Sequence, residues 1–131
     1  MAIVGIGLDV TEVARIQMAL EDPVTGERFK ARVFTAAEQA YCDGRGTGRY
    51  ESYAARFAAK EAVAKALGCG VGRDLSLLDV EIGREADGRP TVHLRGAGAA
   101  TAAAAGVTRV HVALTHTHDL AIAQVVAEAG C

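Results

Sequence analysis

Ser52-Tyr53-Ala54-Ala55-Arg56-Phe57-Ala58-Ala59-Lys60-Glu61-Ala62-Val63-Ala64-Lys65-Ala66-Leu67 is the stretch whose reading decides the fold. It is rich in alanine and holds neither glycine nor proline, so it predicts one long helix over 52–67 that stops at Gly68. Arg56 and Lys60 share one face of that helix, and Glu61 and Lys65 share the next. Two readings stand at this point. The four charges are an exposed, salt-bridged surface, or they are cations gathered round one carboxylate among side chains small enough to admit a ligand or another backbone.

Outward from this helix, 2–8 is a short apolar run punctuated by Gly5 and Gly7, which reads as a buried strand ending at Asp9. Thr11 is placed as the N-cap of a helix carrying Val13, Ile16 and Leu20, which Pro23 and Gly26 interrupt. A basic segment follows over 27–32. Thr35-Ala36-Ala37-Glu38 is a capping box that opens another helix, and 43–49 reads as loop. Beyond Gly68, Gly70 and Gly72, strands are expected over 78–82 and 91–94, joined through Asp87-Gly88 as a hairpin. An alanine helix over 97–105 precedes strands over 109–114 and 120–126, with a polar turn at 115–119. This order predicts an α+β fold, a small antiparallel sheet with a long central helix, in one domain spanning 1–131.

Composition narrows the function classes. Half of the 131 residues are hydrophobic, yet aromatics make up only 5% and tryptophan is absent, so the core rests on Val, Ile, Leu and Ala. Burial per residue is modest, which makes self-association plausible. A formal net charge of −2 provides no general basic field for nucleic acid, and an anionic partner must be met by local patches. Cys42, Cys69 and Cys131 have no CxxC spacing and read as free thiols of a reducing cytoplasm, with Cys131 fraying at the end. No basic leader precedes the first apolar run, and no stretch is long enough to cross a membrane, so a cytosolic protein is expected. Met1 and the lack of a linker at either end fit a discrete protein rather than a domain cut from a larger synthase.

Three clusters carry chemistry. Asp9, after a glycine-punctuated strand, offers oxygen ligands to a hard cation, or is simply an acid at a helix N-terminus. The Arg56–Lys65 stretch is the second cluster. Thr115-His116-Thr117-His118-Asp119 is the third, offering hydroxyl and imidazole donors to a phosphate or nucleoside. Its spacing is tight for tetrahedral zinc, and polar turn residues of this kind are commonly just solvated.

Together and in this order these clusters resemble the holo-acyl-carrier-protein synthase family. Gly5-Ile6-Gly7-Leu8-Asp9-Val10-Thr11-Glu12 is similar to its N-terminal signature, and Arg56-Phe57-Ala58-Ala59-Lys60-Glu61-Ala62 with Lys65-Ala66-Leu67-Gly68 to its central one. Asp79-Val80-Glu81-Ile82, Asp87-Gly88-Arg89-Pro90 and Leu114-Thr115-His116-Thr117 follow in register. The resemblance implies the 4′-phosphopantetheinyl transferase fold and a magnesium-dependent transfer of phosphopantetheine from coenzyme A to a serine of an acidic acyl carrier protein. It implies Asp9 and Glu61 as magnesium ligands, with water and the coenzyme A diphosphate completing the octahedron. Arg56, Lys65, His116 and Thr117 would contact phosphates and ribose, Arg49 the 3′-phosphate, Pro90 the adenine, and Arg15 an acidic helix of the carrier. The base stays open among Glu61, a metal-held water and Lys65. A homotrimer with active sites between subunits is implied as well. The rivals are a coenzyme A-binding module without transfer activity, which would lack the two carboxylates, and a purely structural trimer. Two departures stand out: an acidic stretch over 21–27, partly offset by Arg28, Lys30 and Arg32, and Ala113 where the family commonly has serine.

Overall fold

The computed structural model describes residues 1–130; Cys131 lies outside the described residues. In chain order the elements are β1 (Ala2–Glu12), α1 (Val13–Glu21), α2 (Gly26–Val33), α3 (Ala36–Asp43), α4 (Arg49–Ala66), β2 (Val80–Arg84), β3 (Pro90–Leu94), α5 (Gly96–Ala104), β4 (Arg109–His116) and β5 (Leu120–Ala129). The α+β expectation holds, but the strands form two antiparallel sheets rather than one. One sheet has the order β1-β5-β4, and β2-β3 is a hairpin.

Helix α4 lies at the centre because its small side chains let two strands approach it closely. Ala121, Ala123, Val125 and Ala127 of β5 are fully buried, as are Ala58, Ala59 and Ala62 of the helix. On β1 the approach is closer still. A Cβ at Gly5 would stand 1.8 Å from the Ala66 carbonyl oxygen, and one at Gly7 would stand 1.9 Å from that of Ala62. These glycines therefore exist for contact with a backbone, the second of the two uses that small residues offered. Gly7→Ala is expected to cost about 1–3 kcal/mol or more by forcing the helix off the strand. Urea denaturation measures this, and an unchanged midpoint would refute the close packing.

The two halves of α4 serve two cores. Val63, Ala66 and Leu67 pack with Leu75, Val80 and Ile82. Tyr53 and Phe57 pack with Val13 and Ile16 of α1, Val33 of α2 and Phe34 at its C-cap. The helix ends in a Schellman arrangement: Gly68 has φ +75°, its N–H reaches the Lys65 carbonyl, and the Cys69 N–H reaches that of Ala64.

Several boundaries differ from expectation. β1 continues through Asp9 and Thr11 to Glu12, because its pairing with β5 runs to Leu120. Thr11 is accordingly not an N-cap; its hydroxyl donates to Asp9 Oδ2 at 2.7 Å. The basic segment after Gly26 is a helix, α2, seated by a turn in which Asp22 accepts the N–H groups of Val24 and Thr25. These two bonds hold the Asp22 carboxyl below its ordinary value. α4 starts at Arg49 rather than 52. The Thr35 capping box forms, and Gly88, with φ +92°, turns the β2-β3 hairpin. Among the described residues no helix is long and apolar enough to cross a membrane.

Candidate active site

Asp9, Glu61, Lys65 and Arg15 come together along the β1 edge of α4. Lys65 Nζ donates to Asp9 Oδ1 at 3.2 Å and to the Leu8 carbonyl at 2.9 Å. With Thr11 on Oδ2, both Asp9 oxygens are oriented. The half-buried Glu61 carboxyl is pushed above its ordinary value, first by burial and then by the Asp9 charge, while Lys65 and Arg15 pull it down. Two neighbouring carboxylates, with the ionisation of Glu61 made costlier by Asp9, beside two cations, suit a hard divalent cation bridged to an anionic ligand. The donor set fits magnesium in that way only. Among the described residues no group of three or more His, Cys, Asp or Glu is placed to hold a metal, so most of the shell must come from water and ligand.

Arg56 and His116 fall in a second group. Arg56 lies ~140° round the helix from Glu61. His116 ends β4, on the sheet edge opposite Asp9's strand. Both line a cleft of about 410 Å³ on that side, with Tyr41, Arg45, Arg84 and Thr115. Arg56 is only 3% exposed, is bonded to Ser52 Oγ at 3.0 Å, and keeps its Nε without a partner among the described residues.

The remaining predicted residues are placed apart. Thr117 spends its hydroxyl on its own turn, accepting the N–H groups of Asp119 and Leu120. Pro90 opens β3 in a neighbouring cleft beside Arg89 and Arg109. Arg49 lies over Tyr50, 4.9 Å from the ring centroid, outside the Arg56 cleft. Lys60 is not part of any cationic surface. It turns inward, fully buried, and pairs with Glu38 at 2.8 Å. Arg45, Arg84 and Tyr41 were not marked by the sequence, since each sits alone in an unremarkable context and only the fold gathers them.

A larger cavity than the Arg56 cleft, about 700 Å³, is elsewhere. It is an apolar groove between α2 and the segment after α4, lined by Phe29, Val33 and Leu77 with Arg28 and Arg32. Lys30 instead pairs with Asp43 at 3.0 Å.

Comparison with known proteins agrees with the motifs. The family model described as the 4′-phosphopantetheinyl transferase superfamily matches residues 5–125. A holo-[acyl-carrier-protein] synthase of Anaeromyxobacter dehalogenans is 51% identical over 127 residues, covering 96% of each chain. The crystal structure of the Neisseria meningitidis holo-[acyl-carrier-protein] synthase superposes with a TM-score of 0.86 at 33% identity, covering 97% of this chain and 99% of that one. A Bacillus anthracis holo-(acyl-carrier-protein) synthase, solved in complex with CoA (3′,5′-ADP), gives 0.79 at 35% identity, covering 98% of each chain. The chain belongs to the 4′-phosphopantetheinyl transferase superfamily.

Proposed function

We propose that this chain is a holo-acyl-carrier-protein synthase: it transfers 4′-phosphopantetheine from coenzyme A to a serine of an apo acyl carrier protein and releases 3′,5′-ADP. The observation that carries the reading is the Asp9–Glu61–Lys65 constellation, present in a chain that shares nearly its whole length with relatives of that name. A binding module without transfer activity would have no need for the two carboxylates.

Magnesium held by Asp9 and Glu61 would supply charge neutralisation on the coenzyme A diphosphate. Lys65 and Arg15 add fixed positive charge beside the same phosphates. The serine oxygen bonds to the phosphorus bearing pantetheine, and the bond from that phosphorus to the bridging oxygen breaks, so the electron pair leaves with 3′,5′-ADP. The serine proton needs an acceptor. Glu61 is the better placed of the two side chains, because the Lys65 ammonium is already committed to Leu8 and Asp9. Arg28 and Arg32 beside an apolar groove, with Arg15 one helix away, form a basic and greasy face suited to an acidic carrier helix.

We further read the working form as a homotrimer in a cytoplasmic setting. Two observations support it. The carboxylate group and the Arg56 cleft lie on opposite flanks of α4, so one coenzyme A meets both most simply across a subunit boundary. The outer face of the β1-β5-β4 sheet also leaves Ile6, Leu8 and Val10 more than half exposed. Ile6→Glu, which touches no core contact, is expected to yield monomers in sedimentation velocity and to lose most transfer activity. A trimer that survives the substitution would place the interface elsewhere.

The deciding experiment is the intact mass of an apo carrier incubated with this protein, coenzyme A and magnesium. A gain of one phosphopantetheine, abolished by chelator, is the expected result. No gain on fatty-acid, polyketide or peptide carriers would overturn the reading.

A further inference from the structure

The two oxygens of Asp9 are held by donors of different kinds. Oδ2 accepts the Thr11 hydroxyl at 2.7 Å. Thr11 is only 1% exposed, stands two residues along the same face of β1, and is paired with Ala121 of β5. Oδ1 accepts the Lys65 ammonium at 3.2 Å, from a side chain that is 54% exposed and keeps a second acceptor, the Leu8 carbonyl, at 2.9 Å. Lys65 can therefore yield Oδ1 to an incoming cation and still hold a partner. Thr11 cannot leave Oδ2 in this way, because its buried hydroxyl would lose its acceptor. The strand itself asks only for a β-branched side chain at this position, and valine would suit it as well. What the hydroxyl adds is its bond to Asp9.

We propose that Thr11 is a positioning residue that anchors Oδ2 and leaves Oδ1 as the one oxygen of Asp9 offered to a metal, and that this makes the site selective for magnesium over calcium. The inference rests on the reading of Asp9 and Glu61 as magnesium ligands. Magnesium holds a compact octahedral shell at about 2.1 Å and is satisfied by one oxygen from a carboxylate, the rest coming from water and phosphate. Calcium takes a larger and looser shell at about 2.3–2.6 Å and readily spans both oxygens of one carboxylate. Spanning Asp9 would set the cation against the hydroxyl hydrogen that Thr11 places on Oδ2. Calcium thus loses an oxygen that magnesium does not need. A ligand carboxylate already oriented by a buried partner also has less freedom to lose when the metal arrives.

The test titrates magnesium and calcium separately into the protein with saturating coenzyme A and no carrier, and reads each apparent affinity from the rise in melting temperature. The wild type is expected to bind magnesium more tightly than calcium. Thr11→Val should weaken magnesium by about tenfold, the scale of losing a partner that orients a ligand, and should weaken calcium less, so that the preference falls. Thr11→Ser, which returns the hydroxyl, should restore it. A purely structural role would weaken both cations together and leave their ratio unmoved. A wild type that binds calcium as tightly as magnesium overturns the proposal, and so does a Thr11→Val ratio equal to that of the wild type. A wild-type melting temperature that neither cation raises would overturn the magnesium reading instead.

Discussion

Replacing Glu61 by Gln lowers transfer by about 10³-fold or more, on the scale of losing a preorganised charge at a phosphoryl centre, and yet stabilises the protein in chelator. The two effects share one origin. Burial first, and the Asp9 charge second, make the ionised Glu61 carboxylate unfavourable in the fold. A carboxyl raised in the folded state binds its proton more tightly there than in the unfolded chain. Metal-free wild type therefore loses stability as pH rises from the ordinary value of 4.5 through the raised one, and Glu61→Gln does not make that loss. Melting curves against pH in chelator measure the difference, and magnesium should raise the melting temperature of the wild type alone. Activity within tenfold of wild type would remove Glu61 from the catalytic machinery. A lower melting temperature in chelator would mean that its charge supports the fold.

The opposing demands on Glu61 show why the carboxylates were legible in the sequence while much of their surroundings was not. A glycine-punctuated strand followed by an acid, and an alanine helix carrying Glu61 and Lys65, are local signals, and the structure brings Asp9, Glu61 and Lys65 into one cluster. The capping box at Thr35, the stop at Gly68 and the turn at Gly88 are local too, each fixed by the conformational needs of one or two residues. Helix α2 does not show in the sequence because Glu27-Arg28-Phe29-Lys30-Ala31-Arg32 has little apolar periodicity. It stands on tertiary contact, with Gly26 set against the Leu20 carbonyl and Val33 buried. Thr11 suits a cap as well as a strand, since threonine serves both, and only the pairing with Ala121 decides between them.

Lysine raises the same ambiguity within α4. Lys60 and Lys65 are indistinguishable by type, but one is fully buried and the other side chain is 54% exposed. The sequence holds no marker for this, since Lys60's partner Glu38 stands in another helix. Arg45, Arg56 and Arg84 are harder still, because they come from three separate segments and share only the ring of Tyr41.

Lys60 ties α3, α4 and β2 together, and its loss is the largest stability effect expected. Lys60 Nζ donates to Glu38 Oε1 at 2.8 Å and to the carbonyls of Leu77 and Val80. Glu38 in turn accepts the Thr35 N–H at 2.8 Å and, on Oε2, the Ile82 N–H at 2.8 Å. Burial pushes the Lys60 ammonium toward losing its proton, against the pull of Glu38. Lys60→Met leaves a carboxylate and two carbonyls buried without their donor, which is expected to cost about 3–5 kcal/mol, a large share of a typical domain's stability. Lys60→Met with Glu38→Gln removes the stranded charge and should recover part of that loss. Urea unfolding of the single and double variants measures both. A single-variant cost below about 1 kcal/mol would mean that the site relaxes or hydrates. The pair also borders the Arg56 cleft. Lys60 stands one turn from Arg56 on α4, Glu38 one turn from Tyr41 on α3, and Ile82 one pleat from Arg84 on β2. The ion pair thus clamps α3, α4 and β2 one level from the Arg56 cleft.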